Sequence, residues 1–248
     1  MSRLFERAGA VLFLATSATL IAPACVDNES SLFIRQVLVT PSKTCSVKAD
    51  ITSETLGEGF LDGSFGVPYT AALLVGNQLV RRGDPDRLKT ETSRIRIESA
   101  DVSVLDASGA VLSRADGSTA EFNTPATGFI DPGSGSTPGY GLAFVELIDA
   151  TLAANLGSAA QGSGVVQQVV ASVILRGRTL GGTEIASGEF QFPIKVCFGC
   201  LCDKASCCAT TTCQDPAAMF DKNCHPGFDA VTDCRQGSSA CQCLATCP

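Results

Sequence analysis

Between residues 31 and 196 the chain alternates apolar and polar residues with a period of two, the spacing of strands that bury one face. Residues 189–195 are the clearest instance: Phe190, Phe192 and Ile194 point one way, and Glu189, Gln191 and Lys195 the other. Ahead of them Val169, Ala171, Val173 and Leu175 interleave with Val170, Ser172, Ile174 and Arg176, which predicts a strand buried on both faces as far as Arg176. Gly181-Gly182 joins the two runs, because adjacent glycines tolerate the positive φ of a tight hairpin. A second hairpin is predicted at residues 106–109, a type I turn opened by Asp106 and closed by Gly109. Ile95 and Ile97 are out of phase with Val102 and Val104, so a bulge near Ser99-Ala100 is expected. Further strands are expected at 32–40, 45–51, 69–75, 119–123 and 142–148. One helix is expected at 149–158, with Asp149 as its N-cap and Gly157 at its end. The glycine-rich run 131–141 reads as a surface loop, since neither G-x-x-x-x-G-K nor G-x-G-x-x-G follows it.

Eight or nine strands with so little helix define an all-β class. The expected architecture is two packed sheets, an immunoglobulin-like or related β-sandwich, with a closed barrel as the alternative. The pattern stops at residue 196, and a disulfide-rich, mostly irregular tail is expected over 197–248. Of thirteen cysteines, two are early, Cys25 and Cys45; the others are Cys197, Cys200, Cys202, Cys207, Cys208, Cys213, Cys224, Cys234, Cys241, Cys243 and Cys247. The tail's large apolar residues are few: Phe198, Leu201, Met219, Phe220, Phe228, Val231 and Leu244. Burying them does not offset a backbone entropy cost of about 1–2 kcal/mol per residue, so cross-links must order the segment.

Whether those cross-links are disulfides or metal–thiolate bonds depends on the compartment. Arg3 and Arg7 are followed by an apolar stretch from Ala8 to Ile21 and by Ala22-Pro23-Ala24 before Cys25, the layout of an export signal over residues 1–24. The segment Ile21-Ala22-Pro23-Ala24-Cys25 resembles a bacterial lipoprotein signal, in which the cysteine after the cut becomes the lipidated first residue. Ala24 fits that pattern; Ala22 stands where the family usually has Leu, Val or Ile, and Pro23 is unusual there. Ordinary cleavage after Ala24 satisfies the A-x-A rule equally well. The resemblance implies a lipid on Cys25, a membrane partner through that anchor, and a short tether over residues 25–30. Val26, rather than Asp, implies the outer membrane in the enterobacterial sorting rule.

Lipidation of Cys25 also leaves an even number of cysteines. After export, thiols oxidise, so Cys197-x2-Cys200 and Cys241-x-Cys243 read as half-cystines rather than zinc or iron–sulfur ligands. The tail holds an odd number, so Cys45 is its expected partner, through Cys197 or Cys200. Closing that loop of about 150 residues is worth about 5 kcal/mol by the chain-entropy argument.

Charge narrows the function. The net charge is −7, and with no Lys/Arg surplus to neutralise phosphates no nucleic-acid partner is expected. His225, the single histidine, lies in the tail beside Cys224, which leaves little for a Ser–His–Asp or Cys–His apparatus and rules out a histidine-rich zinc centre. No catalytic residue, metal or cofactor is therefore expected. Asp62, Asp84, Asp86, Asp131 and Asp149 lie in turns or loops where a carboxylate-only hydrolase could assemble a pair. Arg82-Gly83-Asp84 resembles the integrin-binding tripeptide, a coincidence expected by composition in a charged turn. The leading expectation is an exported envelope lipoprotein with a binding or structural role toward an unidentified envelope or extracellular partner. The alternatives are a secreted hydrolase using acidic loop residues and a metal-binding cysteine module.

Overall fold

The computed structural model of the chain describes residues 31–41, 44–84, 86, 89–203, 227–230 and 232–233. The expected export signal, Cys25 with its tether, His225, and Cys207, Cys208, Cys213, Cys224, Cys234, Cys241, Cys243 and Cys247 lie outside the described residues, as does the Cys202 side chain. Among the described residues no helix is long and apolar enough to cross a membrane.

The elements run β1 (Leu32–Leu38), β2 (Thr55–Leu56), β3 (Gly59–Asp62), a 3-10 turn (Gly63–Phe65), β4 (Tyr69–Asn77), β5 (Ile95–Leu105), β6 (Glu121–Ile130), β7 (Gly139–Ile148), α1 (Ala150–Ser163), β8 (Gln167–Thr179), β9 (Glu184–Ala186) and β10 (Phe190–Cys197). Two short strands of the tail, β11 (Cys202–Asp203) and β12 (Thr232–Asp233), pair in parallel. The all-β class holds, with one helix.

Among the described residues the body is one ten-stranded sheet rather than the two packed sheets of the expected sandwich, because the chain's first and last body strands are joined through β2 and β3. Its order is β2-β1-β4-β7-β6-β5-β8-β10-β3, with β9 on the far half of β8. The two ends of that path, β2 and β3, are separated in the chain only by Gly57 and Glu58. One bent segment therefore belongs to both ends, and the sheet nearly closes into a barrel. A parallel bridge between Leu32 and Ser187 also ties β1 to the β9–β10 junction. The interior is filled by side chains rather than left as a lumen: Leu73, Val75, Ile97, Val102, Val104, Val145, Val173, Leu175, Phe192 and Ile194 belong to one buried cluster.

Local expectations fare unevenly. The bulge in β5 is present between Ile97 and Ser99, and the register to both β6 and β8 shifts there. The two turns form as expected: Gly109 donates to the Asp106 carbonyl at 3.0 Å and Gly182 to Thr179 at 2.9 Å, both glycines at positive φ. β10 buries Phe192, Ile194 and Val196. β8 alternates along its whole length rather than being buried on both faces as far as Arg176: Val170, Ser172 and Ile174 are only half-buried.

Three segments depart from the pattern. Residues 45–51 form no strand; they lie over the outer face of β1 and β4, where Val47 packs on Leu38, Ala72 and Leu74. That cover is why β4 is buried on both faces. β6 runs to Ile130, well past Asn123, although Pro125 and Gly128 read as breakers. Pro125 stands opposite Ser99, beside the β5 bulge, and Gly128 allows the Leu142 carbonyl to come within 2.3 Å of where a Cβ would sit. The helix passes through Gly157 and ends at Gly164. Gly157 is a packing residue: a Cβ on it would lie 2.6 Å from the Gly63 Cα, so these two glycines let α1 seat on the 3-10 turn. Leu152, Ala153 and Leu156 of α1 join the main core.

Candidate functional site

The barrel's seam gathers more chemistry than any other described part of the chain. β3 runs parallel to β10, with Phe60 beside Lys195, Leu61 beside Val196, and Asp62 beside Cys197. Its other edge meets the tail: Leu61 bridges Phe228 antiparallel, the Asp62 N–H donates to the Gly227 carbonyl at 2.7 Å, and the Asp229 N–H donates to the Phe60 carbonyl at 2.9 Å.

Asp62 is fully buried, and its carboxylate is saturated by backbone. Oδ1 accepts the N–H of Ser64 at 3.0 Å and of Gly199 at 2.8 Å, and Oδ2 accepts the N–H of Leu201 at 3.1 Å. One side chain thus caps the 3-10 turn and shapes the loop between Cys197 and Cys200. These two cysteines are joined as a disulfide with Cα atoms 5.9 Å apart. Neither is therefore free for Cys45, and the expected link from Cys45 to Cys197 or Cys200 does not form. A three-residue separation after β10 keeps each cysteine's nearest partner local. Cys45 is itself disulfide-bonded.

The bond is asymmetric in access. Cys197 is 4% exposed, with its Sγ 3.5 Å from the Leu61 carbonyl oxygen, whereas Cys200 is exposed. Beside it opens a cleft of about 420 Å³ lined by Phe60, Val166, Lys195, Cys197, Cys200 and Leu201. Lys195 places its Nζ 2.8 Å from Glu58 and 5.4 Å from the centre of the Phe60 ring. Asp62 and the two sulfurs approach within 4.8 Å of one another. Joined sulfurs have no thiolate to offer a cation, and the Asp62 oxygens already accept three N–H groups.

Across β3 lies a second polar anchor. Asp229 adopts φ 57°, a left-handed conformation that Asp tolerates, and aims its carboxylate back into the body. It accepts from the Phe60 N–H at 2.8 Å and from the Tyr69 hydroxyl at 2.7 Å. Burial pushes the Asp229 carboxyl up from its ordinary value despite both donors. Burial, then the Asp229 charge, raises the Tyr69 phenol well above its own. Tyr69 is completely buried, its ring 5.1 Å from that of Phe228. A smaller cavity of about 40 Å³, room for a water or two, lies between Asp229 and the β1–β4 edge.

The acidic loop residues go to separate partners. Asp149 caps α1 through Leu152 at 2.9 Å and pairs with Arg114 at 2.6 Å. Its pKa is lowered because those contacts outweigh burial, while Glu146, missed by sequence reasoning, is raised by burial and by the Asp149 charge. Both Asp149 oxygens are occupied by these structural contacts. Asp131 pairs with Arg94, and Asp84 and Asp86 share one turn. In the Arg82-Gly83-Asp84 segment the backbone is clamped by Glu91, whose carboxylate accepts the N–H groups of Arg82, Gly83 and Ser93.

Neither a known family nor a curated protein matches the chain. Among solved structures it is similar to the solution structure of a protein assigned to the late embryogenesis abundant (LEA) group, at 12% identity and a TM-score of 0.30, over 67% of this chain and 71% of that one. A likeness that distant carries no argument about function.

Proposed function

We propose that the chain is an exported, surface-anchored module with a binding or structural role: a disulfide-stapled β-barrel with the segment 227–230 docked on its seam, held to the membrane through a lipid on Cys25. The observation that carries this reading is the covalent state of the sulfurs. Cys197 and Cys200 are joined at the end of a core strand, and Cys45 is bonded as well; such bonds persist in oxidising compartments and are rare in the cytosol. The membrane anchor rests on the lipoprotein-like segment ending at Cys25. A non-catalytic role is supported by how the polar groups are used. Asp62, Asp149, Asp229 and Glu91 are each taken up in holding backbone or a neighbouring side chain.

Intact mass of the chain recovered from cells, before and after reduction, tests the proposal. The expected mature protein begins at Cys25 with an acylated glyceryl group, and it gains one pair of hydrogens per disulfide on reduction. Recovery of the full-length chain with its leader in place and its thiols titratable without reductant overturns it.

A further inference from the structure

We infer that the Cys197–Cys200 disulfide is an exchange site for exogenous thiolates, opened by attack on Cys200. Three observations converge on it. The first is access: both cysteines line the cleft of about 420 Å³, but Cys200 is exposed while Cys197 is 4% exposed and lies against Leu61, so Cys200 is the sulfur more open to an incoming nucleophile. The second is redundancy. The bond closes so short a loop that it removes little chain entropy from the unfolded state. The loop is shaped independently by the Asp62 contacts to Gly199 and Leu201, and β10 is held by β3 and β8. Opening the bond therefore leaves its surroundings in place, which a staple essential to the fold would not.

The third observation is a place for each product. An attacking thiolate R–S⁻ forms a bond to the Cys200 sulfur as the S–S bond breaks, and the electron pair goes to the Cys197 sulfur. That sulfur takes a proton from water and becomes a thiol 3.5 Å from the Leu61 carbonyl oxygen, which can accept the S–H. The mixed disulfide on Cys200 then has two fates. Cys197 can attack it and restore the starting bond. Alternatively, the second thiol of an external dithiol attacks R's sulfur and leaves the chain as a dithiol, reduced by two electrons, with the dithiol oxidised to a disulfide. The co-reactant is thus a thiol-bearing small molecule or a cysteine-containing peptide. The cleft suits a thiol with an apolar body, because Phe60, Val166 and Leu201 line its wall, while the Lys195 charge there is already met by Glu58.

The test uses the oxidised full-length chain. It is treated under native conditions with increasing dithiothreitol, quenched by alkylation, and its cysteines are mapped by peptide mass. Cys197 and Cys200 are expected to be alkylated before any other pair, with the circular dichroism spectrum unchanged. A pair that stays closed until the spectrum collapses, or that opens after the others, overturns the inference. In Cys197→Ser, treatment with glutathione disulfide is expected to leave a stable glutathione adduct on Cys200 as one glutathione thiolate departs; failure of that folded variant to form the adduct overturns it. A measurement on Glu58→Gln requires no cysteine change: freeing the Lys195 charge from its partner should speed attack by anionic mercaptopropionate several-fold more than attack by neutral mercaptoethanol, and equal changes overturn the cleft as the route. Small thiol and cysteine peptide are distinguished by comparing glutathione with a longer apolar cysteine peptide, either reacting faster with Cys200 than with denatured cystine supporting exchange. If the reduced pair instead retains zinc through gel filtration, the site is a metal centre and exchange is overturned.

Discussion

The barrel wall and its seam are built by different rules. Along the wall, β4, β7, β6, β5 and β8 are 9 to 13 residues long and pair antiparallel with their neighbours. Each is held by a repeating ladder to at least one neighbour, with an apolar face that alternates except in β4, which is buried on both sides. At the seam, β2 and β3 are two and four residues long, β3 pairs in parallel with β10, and its other edge is met by a few residues of the tail. There the ladder is too short to hold itself, and single polar side chains substitute for it. Burial of repeated apolar surface distributes stability, whereas a buried carboxylate such as Asp62 concentrates it in one residue.

That contrast can be broken or sharpened by substitution. Leu73→Ala, in a wall strand with its side chain fully buried, is expected to lower stability by about 2–5 kcal/mol through lost burial and a residual cavity. Urea denaturation should register this as one cooperative shift; a smaller change with the seam lost first would place the weight elsewhere. Asp62→Ala is next, at about 3 kcal/mol, since it strips the acceptor from the N–H groups of Ser64, Gly199 and Leu201. Its signature is local: hydrogen exchange should accelerate at those amides and hardly at all in β5 and β8. Uniform acceleration across the chain would erase the distinction between wall and seam.

A pH-dependent effect follows from Asp229. Its pKa is raised above the ordinary 3.8 by burial, so the protonated form suits the folded seam. The stabilisation it gives is complete below 3.8 and is lost as pH rises through the folded value. Asp229→Asn, neutral throughout, should flatten the seam's stability across that window while the parent declines. Parallel urea midpoints for the two proteins through the same window would refute the assignment. The smallest effect is expected on the outside of the wall, where Arg176 pairs with Asp101 and both are substantially exposed. Arg176→Ala should change stability by about 0–1 kcal/mol, and less in high salt, as read from the melting temperature.

The wall was legible in the sequence because it obeys a period. The alternation of Phe190, Phe192 and Ile194, the phase slip near Ser99, and the glycine turns at Gly109 and Gly182 each have a local cause and a local signature. What escaped were features decided at a distance. Nothing near Gly157 states that Gly63 will press against it, so a glycine in a helix reads as a stop. Pro125 reads as a breaker until its position opposite Ser99, beside the β5 bulge, is known. Val47 sits in a strand-like segment that becomes a cover, because β4 offers an apolar outer face to be covered. At the seam, the sequence marked Cys197, Cys200 and Asp62 individually. It could not join Asp62 to the cysteines, since 134 residues lie between Asp62 and Cys197 and only the parallel pairing of β3 and β10 brings them together. The disulfide expectation failed for the opposite reason: it sent Cys45 across the fold to Cys197 or Cys200, which pair locally with each other.

The meeting of Phe228 with Leu61 has a consequence for how copies of the chain behave toward one another. A sheet rolled almost shut has few exposed rims, and the outer rim of β3 is the one that the segment 227–230 occupies. Remove that segment and a row of unsatisfied backbone groups is presented, flanked by the exposed ring of Phe60. Such a rim invites a strand from another molecule. The short docked peptide therefore covers a rim that would otherwise be open to pairing with a strand from another copy of the chain.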